Sequence, residues 1–452
     1  MTPVPQKPRR DLLKQASIAL TGSILAPISP PALASLSPRQ TTITAHGAIP
    51  DGKTLNTASI QAAIDHLASQ NGGTLLIPAG EFLSGGLFLK PGVHLHLASG
   101  AILKGSTNRA HYPPRTTRVE GHFETWLPAL INADHCDGLR ITGEGPNTSI
   151  LDGNGHPFWQ EFWQQRAANP RTTNLDVPRP RLAFLANSKG IQISGLTFKD
   201  SSFWNLHLYR CRQSLIETCS FEVPDNQRCP STDGTDLDSC QQITIRNCTY
   251  RVDDDCICLK GSKGPFAMQD KDSPPVEEIH VDNCTFERGG GIVTLGSEAT
   301  IIRNVLVENC KVPGKIPIVR LKLRPDTPQL YENIHYRNIT LIGTLPGNLT
   351  ADRPGSHAEI FDVRPWKQFF DLKGQPPPHS TVRNITLENI QGTYGSFGEI
   401  SGNPGQTTLT GFHLKDIEVQ LQAPKLKAGP ITGITLENVT ANGHPIELDH
   451  ST

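Results

Sequence analysis

A short apolar phrase recurs along the second half of the chain and sets its hydrophobic pattern. The phrase reads Ile-x-Ile/Val-x-Asn-Cys with variants, and clear copies begin at Ile243, Ile279 and Val305. Apolar residues at alternate positions are typical of a β-strand with one buried face. Most copies follow one another at steps of 22 to 36 residues. This period predicts a solenoid in which each repeat forms one coil.

Among solenoids, an all-β right-handed parallel β-helix fits this repeat best. Leucine-rich repeats have a similar length and an Asn, but they need more Leu and a helix in each repeat, which the sequence does not show. The Asn that ends the phrase tolerates a left-handed turn, and stacked Asn side chains can bond to one another. Two longer steps, from Leu139 to Ile191 and from Ile334 to Ile385, are interpreted as two coils each.

One amphipathic helix is predicted near the start of the repeats. Asn56 can cap its N-terminus, and Gly72 and Gly73 end it. Its apolar face is formed at helical spacing by Ile60, Ala63, Ile64 and Leu67. Because the open end of a solenoid must be covered, we expect this short helix to cap the N-terminal end, within a cap region of about residues 42–110.

The balance of charge excludes some classes of partner. The 452 residues include 42 basic and 43 acidic side chains, for a net charge of -1. Neither nucleic acid nor an anionic membrane is therefore an expected partner, and we expect a monomer. The abundance of Gly (40) and Pro (37) favours many turns and short strands over long helices.

The N-terminus has the features of an export signal. A twin-arginine pattern at residues 9–10 precedes an apolar stretch at residues 16–26, and an Ala-x-Ala cleavage pattern ends at Ala34. That stretch is shorter than the ~20 residues that span a bilayer. We interpret residues 1–34 as a twin-arginine signal peptide and residues 35–452 as one exported domain, periplasmic or extracellular. The alternative is a disordered tail with a chance Arg-Arg pair.

Ten cysteines would be compatible with disulfides after export. Four of them occupy equivalent places in successive repeats, which favours a buried column of small side chains: Cys219, Cys248, Cys284 and Cys310. Cys211, Cys229 and Cys240 are better candidates for a bridge, although pairing does not follow from sequence. No spacing of Cys and His is typical of a zinc site.

Candidate chemistry is concentrated in four segments, at residues 231–236, 253–256, 289–291 and 320–322. In a β-helix, residues one coil apart stack at about 4.8 Å. Asp233 and Asp254 are 21 residues apart, about one coil, and the segment at 320–322 follows about two coils later. The repeat therefore predicts that acids and bases from separate segments share one stripe of the surface.

Within that stripe, Asp233, Asp254 and Asp255 would cluster beside Arg320 and Lys322, which point the same way because they are two residues apart on a strand. Such a cluster suits glycoside hydrolysis, which needs one protonated carboxylic acid and one carboxylate that deprotonates water. Crowding raises the pKa of at least one carboxyl group. Nearby cations would hold an anionic sugar by charge-assisted hydrogen bonds.

Two simpler interpretations apply to the same acidic residues. Asp runs at turns are usually solvated or cap strands, and Asp233 followed by Gly is by itself only a turn. Clustered Asp can also bind calcium, but the spacing of Asp233, Asp236 and Asp238 is not that of an EF-hand loop.

The four segments, in this order, resemble glycoside hydrolase family 28, the polygalacturonase-like enzymes, which carry Asn-Thr-Asp, Asp-Asp-Cys, Gly-His-Gly and Arg-Ile-Lys. The resemblance runs from about Thr42 to the C-terminus. It implies a right-handed β-helix and an inverting mechanism on pectic polysaccharide, with neither a metal nor another cofactor.

The resemblance also implies a role for each matching residue. Asp254 would be the general acid, and Asp233 and Asp255 would activate water. Arg320 and Lys322 would bind the carboxylate of galacturonate.

Two positions depart from the family pattern. Ser231 stands in place of the Asn, and Gly290 stands in place of the His. Because Gly has no side chain, we expect it to leave room for a bulkier or differently linked sugar. This predicts weak action on linear polygalacturonate and stronger action on rhamnogalacturonan-type or substituted pectin.

Two other functions are open to a chain of this kind. A pectate lyase also uses a parallel β-helix but cleaves by β-elimination, usually with calcium, so unsaturated products and sensitivity to chelators would identify it. A non-catalytic β-helix that binds carbohydrate would bind the polymer without releasing reducing ends.

Overall fold

The computed structural model describes residues 39–343 and 358–450, and the predicted signal peptide lies outside them. Successive copies of the apolar phrase pair in parallel and in register, with Ile243 opposite Ile279 and Ile279 opposite Val305. Each repeat in the sequence is therefore one coil. The coils stack into three long parallel sheets, and the chain is a right-handed parallel β-helix, as the sequence predicted.

The described residues contain 36 strands, numbered β1 to β36 in chain order. Strands β1 to β12 are Gln40–Thr42, Asp51–Leu55, Gly73–Ile77, Gly80–Ser84, Leu87–Phe88, Val93–Leu97, Ala101–Gly105, Arg115–Val119, His122–Trp126, Ile131–Asp134, Arg140–Gly143 and Ser149–Asp152. Strands β13 to β24 are Ala183–Ala186, Gln192–Ser194, Thr197–Lys199, Leu206–Tyr209, Arg212–Glu217, Ser220–Glu222, Thr235–Asp238, Gln241–Arg246, Thr249–Arg251, Ile257–Lys260, Val276–Asp282 and Thr285–Arg288. Strands β25 to β36 are Val293–Leu295, Ile301–Glu308, Lys311–Val312, Val319–Leu323, Leu330–Ile342, Glu359–Pro365, Ser380–Ile400, Thr407–Ala423, Leu426–Ala428, Ile431–Ala441, His444–Pro445 and Leu448–Asp449.

Two α-helices accompany the strands, α1 at Thr57–Ser69 and α2 at His156–Ala168. Three short 3₁₀ segments lie at Ile43–His46, Arg109–His111 and Ala267–Gln269. Strands β8 and β9 form a separate antiparallel hairpin. Among the described residues, no helix combines the length and apolar character needed to cross a membrane.

The interior of the coils is filled by aligned apolar side chains. Rings from four successive coils stack with centroids 4.7, 4.8 and 5.4 Å apart, at Phe198, Phe221, Tyr250 and Phe286. The predicted column of cysteines is also buried, at Cys219, Cys248, Cys284 and Cys310. Since parallel strands hold equal positions in register, each coil repeats the same buried side-chain type.

The Asn at the end of each phrase makes the turn that the sequence predicted. Asn283, Asn309 and Asn338 have φ values of 50°, 56° and 55°, in the left-handed region. Their side chains form a ladder along the coils, in which Asn338 donates to Asn309 over 3.0 Å and Asn389 donates to Asn338 over 2.8 Å. The amides thus bond to one another at several corners of this face, while Asn309 donates to Asp282 instead.

The interpretation of the two long steps as two coils each was wrong. Ile141 lies directly opposite Ile193, and Ile334 lies directly opposite Ile385. Each step of about 50 residues is therefore a single coil with a long excursion. The first excursion carries α2, and helical residues that leave the coil cannot be distinguished by length from a second coil.

Helix α1 forms where the sequence predicted it, and its buried face is the predicted one: Ile60, Ala63, Ile64 and Leu67. Asn56 occupies the N-cap position but its side chain does not cap the helix. Its Oδ1 accepts the N–H of Ile49 over 2.7 Å, so it secures the chain before the helix instead.

All ten cysteines are buried free thiols. The candidates for a bridge, Cys211, Cys229 and Cys240, are among them, so the structure contains no disulfide within the described residues. Cys211 and Cys240 instead donate their thiol hydrogens to backbone carbonyls of Leu185 and Leu208, both over 3.3 Å.

Candidate active site

One of the three sheets carries the predicted chemistry, and we call it the site sheet: β13, β16, β19, β22, β25, β28 and β30. In it, Asp236 is in register with Cys258, Cys258 with Thr294, and Thr294 with Arg320. The alternate residues on these strands are core leucines and valines, so this polar row points away from the core.

The three predicted acids lie in the turns that lead into β19 and β22. Gly234 donates its N–H to the carbonyl of Asp255 over 2.9 Å, which stacks one turn on the other. In the register of the coils, Asp233 therefore lies opposite Asp255 rather than opposite Asp254 as the spacing suggested. The structure brings Asp233, Asp254 and Asp255 together with Arg320 and Lys322, two coils beyond β22, as the sequence predicted.

Asp255 is completely buried and is surrounded by donors. Lys322 Nζ lies 2.6 Å from its Oδ2, Thr294 Oγ1 donates to its Oδ1 over 2.7 Å, and Arg320 Nη1 lies 3.4 Å from its Oδ1. Burial raises the pKa of this carboxyl, but Lys322 and Arg320 more than offset it and lower the pKa to about 2. Asp255 is therefore ionised throughout the working range of most enzymes.

The pKa of Asp254, the adjacent residue, is shifted in the opposite direction. Burial and the charge on Asp255 raise its pKa above the usual value of an aspartate. Its Oδ1 accepts the N–H of Asp255 over 3.0 Å, and none of the described cations lies within ion-pair distance of it. Two neighbouring carboxyl groups thus have pKa values pushed apart, the pattern typical of an acid and its partner base.

Asp233 belongs to a second buried group centred on Lys260. Lys260 Nζ lies 3.3 Å from Asp233 Oδ2, 3.4 Å from Asp236 Oδ1 and 3.7 Å from Glu298 Oε2. Burial raises the pKa of Asp236 to about 7, and burial with the charges of Asp254 and Asp236 raises the pKa of Asp233 well above its usual value. Burial therefore raises the pKa of both aspartates, while the ammonium of Lys260 acts against that rise.

Arg320 and Lys322 retain hydrogen-bonding capacity beyond Asp255. Arg320 Nε also lies 3.2 Å from Asp362, while its Nη2 makes no hydrogen bond to a described residue. Lys322 Nζ lies 4.9 Å from the centre of the Trp366 ring. An ammonium has three donors and a guanidinium five, so both cations can bind a further anion.

These residues open on one cavity of about 900 Å³, which we call the site cavity. Its floor is the site sheet. Its walls come from the hairpin of β8 and β9, from α2 with the loop that follows it, and from the segment after β30; they include His122, Trp163, Leu175, Trp366 and Phe369. Aromatic rings beside carboxylates and cations suit a sugar that carries an acid group.

Gly290 lines the site cavity, and Arg320 and Asp255 lie directly beside it. A Cβ atom at this position would lie 2.7 Å from Arg320 Nη1 and 2.9 Å from Asp255 Oδ1. Arg320 Nη1 also donates to the carbonyl oxygen of Gly290. The guanidinium occupies part of the space next to the missing side chain, which narrows the room that the sequence predicted there.

Sequence reasoning missed Lys260, Glu298 and Trp366. Lys260 follows Cys258 by two residues on a strand, so the alternation of faces could have placed it in the same row. Glu298 and Trp366 lie in segments that follow strands of the site sheet, and their position depends on how those segments fold back.

One group of potential metal ligands occurs in the site. A donor atom from each of Asp233, Asp255 and Cys258 lies within 4.8 Å of the others. Lys260 and Lys322 already neutralise the two carboxylates, and the thiol of Cys258 donates to the carbonyl of Gly296 over 2.9 Å. Two ammonium groups at ion-pair distance make this a poor cation site.

Comparison with known proteins shows to which enzymes the chain as a whole is similar. Residues 69–349 match the model of "Glycosyl hydrolases family 28". A "Probable polygalacturonase" from Vitis vinifera is 26% identical over 410 residues, covering 88% of this chain and 78% of the relative. An "Exopolygalacturonase" from Zea mays is 28% identical over 410 residues, covering 84% and 83%.

Two solved structures share the fold. The "hyperthermoactive Exopolygalacturonase" from Thermotoga maritima has a TM-score of 0.73 at 21% identity, covering 90% of this chain and 93% of that one. The family 28 exopolygalacturonase of Yersinia enterocolitica has a TM-score of 0.66 at 21% identity, covering 91% and 77%. The chain therefore belongs to glycosyl hydrolase family 28, and it is an O-glycosyl hydrolase.

Proposed function

We propose that the protein hydrolyses galacturonan in pectic polysaccharide, with inversion and without a metal ion. The observation that carries this proposal is the contrast between Asp254 and Asp255, a carboxyl group with a raised pKa beside one with a lowered pKa in a cavity lined by cations. Glycosidases need one protonated and one ionised carboxyl group, and opposite pKa shifts favour that division. Several relatives are named polygalacturonases, which supports the class of substrate.

The roles follow from the surroundings of each group. Asp254, with its raised pKa, donates a proton to the oxygen of the leaving sugar. Asp255 stays ionised beside Lys322 and accepts a proton from the attacking water, and Asp233, whose Oδ1 has no hydrogen-bond partner among the described residues, helps to hold that water. Because the water attacks the face opposite the leaving group, the product anomer is inverted.

Arg320 and Lys322 are proposed to bind the carboxylate of the sugar next to the cleaved bond. Both line the site cavity and both have free donors. Because several relatives are named polygalacturonases and the guanidinium of Arg320 lies beside Gly290, we propose linear galacturonan rather than rhamnogalacturonan as the preferred substrate.

The first test compares wild type with Asp254→Asn on polygalacturonate and on rhamnogalacturonan. The variant keeps the shape of the side chain but cannot supply the proton, so we expect a loss of about 100-fold or more in kcat. NMR of the first product should show the inverted anomer. Activity within threefold of wild type would remove Asp254 from this role, retention would contradict the mechanism, and a preference for rhamnogalacturonan would contradict the substrate.

A further inference from the structure

Two cations of the site cavity differ from the rest. Seven Lys and Arg side chains line it, and five of them lie within 4.0 Å of a carboxylate of the described chain: Lys260, Lys263, Arg320, Lys322 and Arg324. Arg166 and Arg228 have no such partner among the described residues. Arg166 donates instead to the backbone carbonyl of Thr172 over 2.8 Å.

Arg228 is held in place by an aromatic ring. Its guanidinium carbon lies 4.1 Å from the centre of the Trp163 ring, and Trp163 Nε1 donates to the carbonyl of Arg228 over 2.9 Å. Trp163 belongs to α2, the helix inserted in the long coil. The stacking fixes the plane of an exposed guanidinium without using its in-plane N–H donors, which leaves them available to an anion.

The surface that these residues form continues outside the site cavity. A second depression, of about 750 Å³, lies along α2 and shares Trp163, Ala167 and Arg228 with the site cavity. The carboxylate of the nearby Asp225 forms ion pairs with Arg251 and Arg288 rather than with Arg228. A polymer leaving the site cavity along α2 would therefore pass unpaired positive charge.

We propose that Arg228, stacked on Trp163, and Arg166 form a second carboxylate-binding subsite, for a uronate unit other than the one held by Arg320 and Lys322. This inference rests on the proposed function. The substrate is then a chain with acid groups on more than one sugar, and the distal acid contributes to affinity rather than to the chemical step. The inserted helix α2 thereby extends the recognition of polyanionic chains beyond the β-helix itself.

The test measures binding and turnover with Arg228→Gln, Arg166→Gln and the control Arg171→Gln. Arg171 is an exposed arginine of the same excursion that lines neither cavity. Calorimetry on the Asp254→Asn background, with galacturonate oligomers of two to six units, reports binding without cleavage. We expect Kd to rise about tenfold for the longer oligomers in the first two variants, the lower end for a lost charge-assisted hydrogen bond. It should not change in the control.

With the catalytic Asp254 restored, KM for these oligomers should rise in parallel while kcat changes less than twofold. Added salt should weaken binding to the parent more than to Arg228→Gln. Equal Kd values for all three variants would overturn the subsite. An increase in Kd that is as large for the disaccharide as for the hexamer would also overturn it, because it would indicate a general disturbance of the site cavity. Failure of wild type to cleave any oligomer would refute the proposed function, while the binding data would still decide the subsite.

Discussion

At the scale of single residues, adjacent aspartates acquire different states from their neighbours. Asp254 and Asp255 share a backbone segment and a chemistry, but only Asp255 contacts Lys322 and Arg320. The same logic applies to Asp233 and Asp236, whose raised pKa values are limited by Lys260. A buried cation at 3.3 Å favours the ionised form of an acid, so Lys260 is a positioning residue for Asp233.

Replacing Lys260 with Met should therefore shift the pH dependence of hydrolysis. Loss of the ammonium removes the interaction that lowers the pKa of Asp233, so that pKa rises further and the carboxylate becomes protonated at higher pH. We expect the acidic limb of the profile of kcat/KM against pH to move up by about one unit or more. Lys260→Arg should restore most of the original profile because it returns the charge.

Lys263→Met is the matched control for this measurement. Lys263 lines the same cavity but pairs with Glu120 at 3.6 Å and Glu298 at 4.0 Å, and with none of the three catalytic candidates. An acidic limb that moves equally in both lysine variants would show that Lys260 has no particular effect on Asp233.

At the scale of elements, the coil is closed by left-handed corners. A non-Gly residue pays about 1–2 kcal/mol in this conformation, and Asn tolerates it because its short side chain bonds locally. At Asn309, whose φ is 56°, the side chain both accepts from Asn338 and donates to Asp282 over 2.8 Å. Two contributions therefore stabilise the corner: the tolerance of Asn for the left-handed conformation, and the side-chain hydrogen bonds of the ladder.

Two substitutions at Asn309 separate these contributions. Asn309→Ala should lower the free energy of unfolding by about 2 kcal/mol, since it loses the ladder and strains the corner. Asn309→Gly should lose only the ladder, about 1 kcal/mol, because glycine adopts positive φ freely. Chemical denaturation measures both. Equal losses for Ala and Gly would show that the conformation of the corner contributes nothing.

At the scale of the whole molecule, one stack of coils carries both the proposed catalytic groups and the proposed binding groups. The core strands keep the site sheet in register over many coils, while excursions such as the one with α2 wall the site cavity. Because the excursions leave and rejoin the same coil, their length changes without altering the register of the strands beneath. The walls of the site cavity can thus vary in length and sequence while the site sheet beneath them stays the same.

Delivery of this molecule is proposed to depend on residues 1–34. A twin-arginine signal requires both arginines, so changing Arg9 and Arg10 to Lys should retain the protein in the cytoplasm of a bacterial host with this export route. Fractionation and N-terminal sequencing check the result, with Ser35 as the expected first residue of the exported form. Export at the wild-type level would contradict the twin-arginine assignment, and replacing Arg39, beyond the cleavage site, serves as the control.

The sequence by itself determined the coil and the stripe. The alternation of Ile and Val with a terminal Asn is so regular that counting placed Asp233, Asp254, Asp255, Arg320 and Lys322 on one face, although it paired Asp233 with Asp254 rather than with Asp255. The position and the buried face of α1 followed equally well, from the helical spacing of its buried residues.

Only the tertiary structure decided the contents of the cavity. Contacts between distant segments decide which aspartate lies beside Lys322 and where Arg320 lies relative to Gly290. They also decide how α2 brings Trp163 under Arg228. Local pattern carries no information about such contacts. The same reason explains the long steps, since an excursion and an extra coil have equal length in the sequence and differ only in which strands they bring together.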